Sequence, residues 1–347
     1  MNGFDNRPNP EELRERLAKL RRVKEDLRGV GWTMLASELI HTWLAVLVMG
    51  LLVAQRIAPQ LSGLMAGASS MEDIFAKAAS AVAELTGTDW YANVVVVLTV
   101  AAALLGVLPA HVYARRRDLT LRPALGLNGL GAKDVAVMYA AMMGVNTLGM
   151  LGVMATELLF NASGFTIFID IMPDDTALSF WLMNAYAVLL APLVEEYVYR
   201  GVLLEGMKPY GERFAVTASA VLFGLTHGNL MQFLPAVLIG WFLGYIRMKT
   251  GSWGVCVLLH ALNNVTSLLL DELLERVPNE TVYAALNYAY IGVTLVAVAV
   301  AWRAIRKRGE LQEAQEPVGF GALVSAPSLI YLYLVFETMI TSVSRVA

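Results

Sequence analysis

The sequence predicts an all-α, polytopic transmembrane bundle with eight core spans and a ninth apolar run near the C-terminus. Three observations carry that prediction. Of the 347 residues 57% are hydrophobic and only 16% charged, where a soluble chain of ordinary composition is about one quarter charged. The mean hydropathy is +0.57. Apolar runs of about 20 residues, the length of a membrane-crossing helix, recur along the whole chain.

The runs fall at 32–55, 92–113, 134–157, 177–205, 213–229, 231–248, 251–270, 281–303 and 318–340. The first is preceded by a charged segment, residues 10–29, with Leu13, Leu17, Leu20, Val23 and Leu27 on one helical stripe. That pattern reads as an interfacial or partner-binding helix. Between the first two runs, the stretch "MEDIFAKAASAVAEL" has helical character and no chemical motif. Only a few residues separate the fifth run from the sixth, which predicts a tight helical hairpin. The ninth contains Pro327 and follows the charged linker "RAIRKRGELQEAQEP", so a re-entrant or surface helix also fits it.

Loop charge predicts orientation. The N-terminal segment, the loop with Arg115, Arg116, Arg117 and Arg122, the Lys208/Arg213 turn, Arg247/Lys249 and "RAIRKRG" are basic and fall on one side. The intervening loops carry Glu72 and Asp73, then Asp170, Asp174 and Asp175, then Asp271, Glu272 and Glu275. The N-terminus is therefore expected in the cytoplasm, and the chain in the plasma membrane if it is bacterial. One cysteine, Cys256, excludes a disulfide framework and a Cys-based metal cluster. A net charge of -3 argues against a nucleic-acid partner. The partners expected are the lipid bilayer and a protein or peptide substrate within it.

Ionisable side chains inside apolar runs are costly and mark function or pairing. The histidines here are His41, His111, His227 and His260, and the carboxylates singled out are Glu38, Glu195 and Glu196, with Glu157 at one edge. Glu196 and Arg200, four residues apart in "APLVEEYVYRGVL", share a helix face and are expected to form an ion pair. Glu195 is rotated by about 100° and points elsewhere. In "LFGLTHGN", His227 follows Phe223. In "LLHALNNVTS", His260 and Asn264 share a face. Each signal alone also fits a purely structural polar contact between helices. Together a carboxylate, two imidazoles and a carboxamide supply a general base, a proton carrier and oxyanion donors. The same Glu and His groups also fit a divalent metal with an open water position.

Glu195-Glu196-x-x-x-Arg200, Phe223-x-x-x-His227 and His260-x-x-x-Asn264 resemble, in order, the three motifs of the CAAX-protease and bacteriocin-processing family of intramembrane endopeptidases, which includes the type II CAAX prenyl proteases. The resemblance covers roughly residues 130–303. It implies a protease in which Glu195 is the base, His227 helps it activate water, and His260 and Asn264 stabilise the oxyanion. Glu196 and Arg200 remain the structural pair. No cofactor is expected on this reading. The second choice is a metal-dependent enzyme in which Glu195, His227 and His260 hold an ion such as zinc. Alternatives to a protease are a scaffold or bacteriocin-immunity protein of the same fold and a proton-coupled transporter, although no repeat with paired broken helices is visible.

The expected organisation is a charged cytoplasmic helix (1–30), two spans with an exposed loop (31–129), a catalytic membrane core (130–303), and a linker with the ninth span (304–347). Glu195, His227 and His260 should converge within about one water diameter of hydrogen-bond reach. Asn264 should border the same cavity, and Glu196 should turn away toward Arg200. Counting from Gly211 at the α-helical rise puts Glu195 and His227 each about 24 Å along the chain path, while His260 lies about 15 Å past Lys249.

Overall fold

A computed structural model describes residues 9–121, 126–167, 176–314 and 318–345. Arg122 and the acidic residues Asp170, Asp174 and Asp175 lie outside them. Helix α1 (Pro10–Glu38) starts at Asn9, whose side chain accepts from the Glu11 N–H, with Pro10 in the first turn where no donor is needed. A π-helical turn, Leu39–Leu44, carries it into α2 (Ala45–Ala66). The charged segment and the first span are thus one rod rather than two pieces. Helices α3 (Met71–Thr86) and α4 (Asp89–Leu105) are each capped by a hydroxyl, Ser70 and Thr88. Next come α5 (Leu108–Arg116) and α6 (Ala132–Ala162).

The fourth predicted run is a composite. It comprises α7 (Ala177–Ala185), a π-turn at Tyr186–Leu190, α8 (Ala191–Glu196), a second π-turn at Tyr197–Leu203 and α9 (Leu204–Met207). Helices α10 (Glu212–Thr226) and α11 (Leu230–Thr250) form the expected hairpin. Gly228 turns the chain at φ +63°, and the Asn229 side chain caps α11 by accepting from the Gln232 N–H at 2.8 Å. Helices α12 (Trp253–Glu275), α13 (Glu280–Arg306) and α14 (Ala326–Thr341) follow.

Among the described residues, seven helical stretches are long and apolar enough to cross a membrane. The fifth and ninth predicted runs are helices but short, at 15 and 16 residues. Pro327 sits in the first turn of α14 and so starts that helix instead of breaking it. Helix α14 packs along α1, burying Tyr331, Val335 and Met339. One feature departs from an all-helical reading. Strands β1 (Phe165–Ile167) and β2 (Val343–Arg345) pair antiparallel, with Phe165 opposite Arg345. Three-residue segments are too short to show a period of two in sequence.

Without a hydrophobic drive between helices in lipid, close packing relies on small residues. A Cβ placed on Gly144 of α6 would come within 2.4 Å of the Thr294 carbonyl on α13, and one on Gly240 of α11 within 3.1 Å of Arg200 Nη2. The basic edge of the bundle is tied by ion pairs. Arg247 meets Glu205 at 3.1 Å and Lys249 meets Glu212 at 3.1 Å. Asp26 accepts from Arg117 at 2.6 Å and from the Tyr210 hydroxyl at 2.5 Å.

Candidate active site

The composite fourth helix separates the two adjacent glutamates. Glu195 lies on the wall of a cavity of about 270 Å³, and its side chain keeps 26% of its exposure. Glu196 is fully buried on the other side of the same turn. The π-turns on either side of α8 matter here. A π-turn holds more residues per turn than an α-turn and advances less along the axis. Seven residues between Glu195 and Gly211 are wound this way, so Glu195 sits closer to the basic edge than a pure α-helical count gives. The depth mismatch with His260 closes accordingly: His260 Nε2 is 3.8 Å from Glu195 Oε2.

Glu196 corrects the expectation in one respect. Its Oε1 meets Arg200 Nη1 at 2.9 Å, as the i,i+4 spacing requires, but also His260 Nδ1 at 2.9 Å. It does not turn away from the site; it holds the site histidine from behind. Because a carboxylate only accepts, His260 donates through Nδ1, and Nε2 is the ring edge presented to Glu195. A carboxylate behind an imidazole fixes its tautomer and orientation, as in a catalytic triad. Arg200, also fully buried, is covered by the Phe223 ring at 4.4 Å from its centroid. Its Nε and Nη2 have no hydrogen-bond partner among the described residues, so the aromatic faces supply part of its stabilisation.

His227 caps the end of α10 and lines the cavity with Glu195. Its Nδ1 lies 2.8 Å from the Phe223 carbonyl. A carbonyl cannot donate, so Nδ1 carries the proton and the neutral ring presents Nε2 as an acceptor. The Phe223 ring packs against both imidazoles, with centroids 4.9 Å from the His227 ring and 5.9 Å from the His260 ring and its plane perpendicular to each.

Asn264 is placed differently from the expectation. It is absent from the cavity wall; its Nδ2 donates to the Ala187 carbonyl at 2.8 Å, and its Oδ1 accepts from Asn263 at 3.3 Å. It bolts α12 to the first π-turn, the turn that carries Tyr186 into the cavity wall. Among the described residues, no three His, Cys, Asp or Glu side chains gather into a metal-binding group.

Two contributors lie outside the sequence motifs. Glu38 and His41, at the π-turn between α1 and α2, line the cavity with Glu195 and His227. Their unusual position in an apolar run was visible, but nothing in periodicity pairs the first span with the fourth. The second is a chain of hydroxyls: Thr226 bonds the hydroxyls of both Tyr199 and Tyr331, the latter at 3.1 Å, and all three line the cavity. Tyrosines in apolar helices give no signal of their own. His111, the remaining histidine, is exposed and bonds Tyr197 at 2.9 Å, outside the cavity.

Residues 177–266 match the family model described as Type II CAAX prenyl endopeptidase Rce1-like. No curated protein and no solved structure matches the chain. The matched stretch contains Glu195, Glu196, Arg200, Phe223, His227, His260 and Asn264. The segment that builds the site is therefore similar to the Type II CAAX prenyl endopeptidase Rce1-like family, the same family its three motifs resemble.

Proposed function

We propose that the protein is an intramembrane endopeptidase that hydrolyses a peptide bond of a membrane-associated protein or peptide, with Glu195 activating water and no metal. One observation carries the reading: of two adjacent glutamates, one faces a cavity beside an acceptor imidazole, while the other is committed to His260 and Arg200. The family match over residues 177–266 supports the protease class.

In this mechanism a water held between Glu195 and Nε2 of His227 attacks the scissile carbonyl. Glu195 takes the proton as the new C–O bond forms, and returns it to the amine nitrogen as the C–N bond breaks. His260, in its protonated form, donates from Nε2 to the oxyanion, with Glu196 behind it offsetting the charge. Arg200 holds Glu196 in place through the 2.9 Å contact to Oε1. Asn264 retains a second N–H beyond the one given to Ala187, and its first duty is to hold α12 at the depth where His260 meets Glu195. The cavity walls are mostly apolar, with Met34, Ala103, Met183, Val194 and Val198 among them, which suits a substrate arriving from lipid. The name of the matched family makes a prenylated C-terminal peptide the first substrate to try.

The test is turnover by the purified protein in nanodiscs on membrane-anchored, internally quenched peptides, a farnesylated one included. Glu195→Gln should lower the rate by about 10²–10⁴-fold with an unchanged melting temperature, and zinc chelation should leave the wild-type rate unaltered. Wild-type turnover by the Gln variant would refute the assignment.

A further inference from the structure

The turn between α10 and α11 carries two carboxamides whose donor sense follows from one backbone N–H. The Gln232 N–H can only donate, and it gives its proton to Asn229 Oδ1 at 2.8 Å. The other end of that carboxamide is therefore Nδ2, a donor. Nδ2 donates to the His227 carbonyl at 2.9 Å and to Gln232 Oε1 at 2.7 Å. Gln232 Oε1 is thus committed as an acceptor, and Nε2, the donor end of the same group, is left over. Gln232 lines the cavity with Glu195 and His227, and its Nε2 has no hydrogen-bond partner among the described residues.

Neighbouring polar groups of the cavity differ. Ser37 donates to the Gly106 carbonyl at 2.8 Å, and His227 Nδ1 is engaged with Phe223. His41 and the Tyr186 hydroxyl line the cavity without a partner among the described residues. Each of these can donate or accept, because an imidazole changes tautomer and a hydroxyl rotates. The free end of Gln232 is held as a donor by a second side chain.

A peptide drawn from lipid into the cavity gives up helical pairing around its scissile bond. Each carbonyl freed in this way is costly until a donor meets it. We propose that Gln232 donates from Nε2 to a backbone carbonyl of the bound substrate, with Asn229 as the positioning residue that orients it. The inference rests on the endopeptidase reading and adds how that site holds its peptide. What Gln232 recognises is the main chain, whatever the substrate's side chains.

The probes are membrane-anchored quenched peptides in which one backbone amide at a time, the scissile one excepted, is replaced by an ester, a weaker acceptor. With wild-type protein in nanodiscs, one ester position should lower kcat/KM by roughly three- to tenfold, the worth of one hydrogen bond. Gln232→Met keeps the side-chain length and removes the donor. On the all-amide peptide it should lose about as much, mainly through KM, and the same ester should then cost nothing further. Asn229→Asp separates orientation from structure. Asp caps a helix as well as Asn, so the melting temperature should hold. Without Nδ2, however, Gln232 Oε1 is released, and both kcat/KM and the ester sensitivity should fall. A residue that only caps α11 predicts wild-type kinetics in Asn229→Asp. Gln232→Glu, which also lacks the free donor, serves if the Met form does not fold. Fluorescence anisotropy of the same peptides on Glu195→Gln, with and without Gln232→Met, reads the contact as affinity without turnover. Equal ester costs with and without Gln232, in cleavage and in binding, overturn the proposal, as do unchanged kinetics in folded Asn229→Asp. Cleavage by Glu195→Gln overturns the endopeptidase reading instead.

Discussion

Three side chains, Glu196, Arg200 and His260, share one carboxylate oxygen in the bundle interior, and single substitutions there strand a charge. Removing one partner of a buried ion pair costs about 3–5 kcal/mol, whereas removing both is far milder. Glu196→Ala and Arg200→Ala should each lower the melting temperature markedly, with the double variant losing less than the sum. Additive losses in a thermal melt would show that the pair is not coupled. Glu196 has a second expected readout. Because it orients His260, Glu196→Gln should lower kcat more than it raises KM, with the melt recorded alongside. At this scale the sequence was legible in part. The 100° offset of Glu195 from Glu196 separated the glutamate on the cavity wall from the one paired with Arg200, but that the latter also holds His260 depends on where α12 lies, which spacing within one helix does not encode.

The elements work through close approach and through irregular turns. Gly144 lets α6 reach the Thr294 carbonyl of α13, so Gly144→Ala forces a contact inside 3 Å. Overpacking of this kind costs about 1–3 kcal/mol. Gly50 of α2 faces open space, and Gly50→Ala should leave the melt unchanged or slightly raised; equal effects at the two positions would contradict the packing argument. Helix existence and order along the chain were readable from apolar runs. The π-turns were not, because widening a helix by one residue alters no hydrophobic period over so short a stretch. They set the depth of Glu195, and through Asn264 and Ala187 they connect to α12. The tie between Thr226 and Tyr331 likewise joins helices 105 residues apart in sequence, so the part played by α14 in the cavity emerges only from the fold.

At the scale of the whole molecule, the basic residues gather at one end, where Asp26–Arg117–Tyr210 and Lys249–Glu212 cross-link the helix ends. The proposed orientation puts this end and the N-terminus in the cytoplasm. Single cysteines in a Cys256→Ser background test it: Thr120→Cys should resist an impermeant maleimide applied to intact cells, and Ala79→Cys should react. The reverse pattern would invert the topology. The central claim is that Glu195 performs hydrolysis in the membrane. The most direct measurement is mass-spectrometric comparison of peptide ends in membranes from cells expressing the wild-type chain and the Glu195→Gln chain at equal levels. The account predicts new ends at membrane-proximal sites in the wild-type sample that are missing from the Gln sample. Identical sets of ends in the two samples would contradict it.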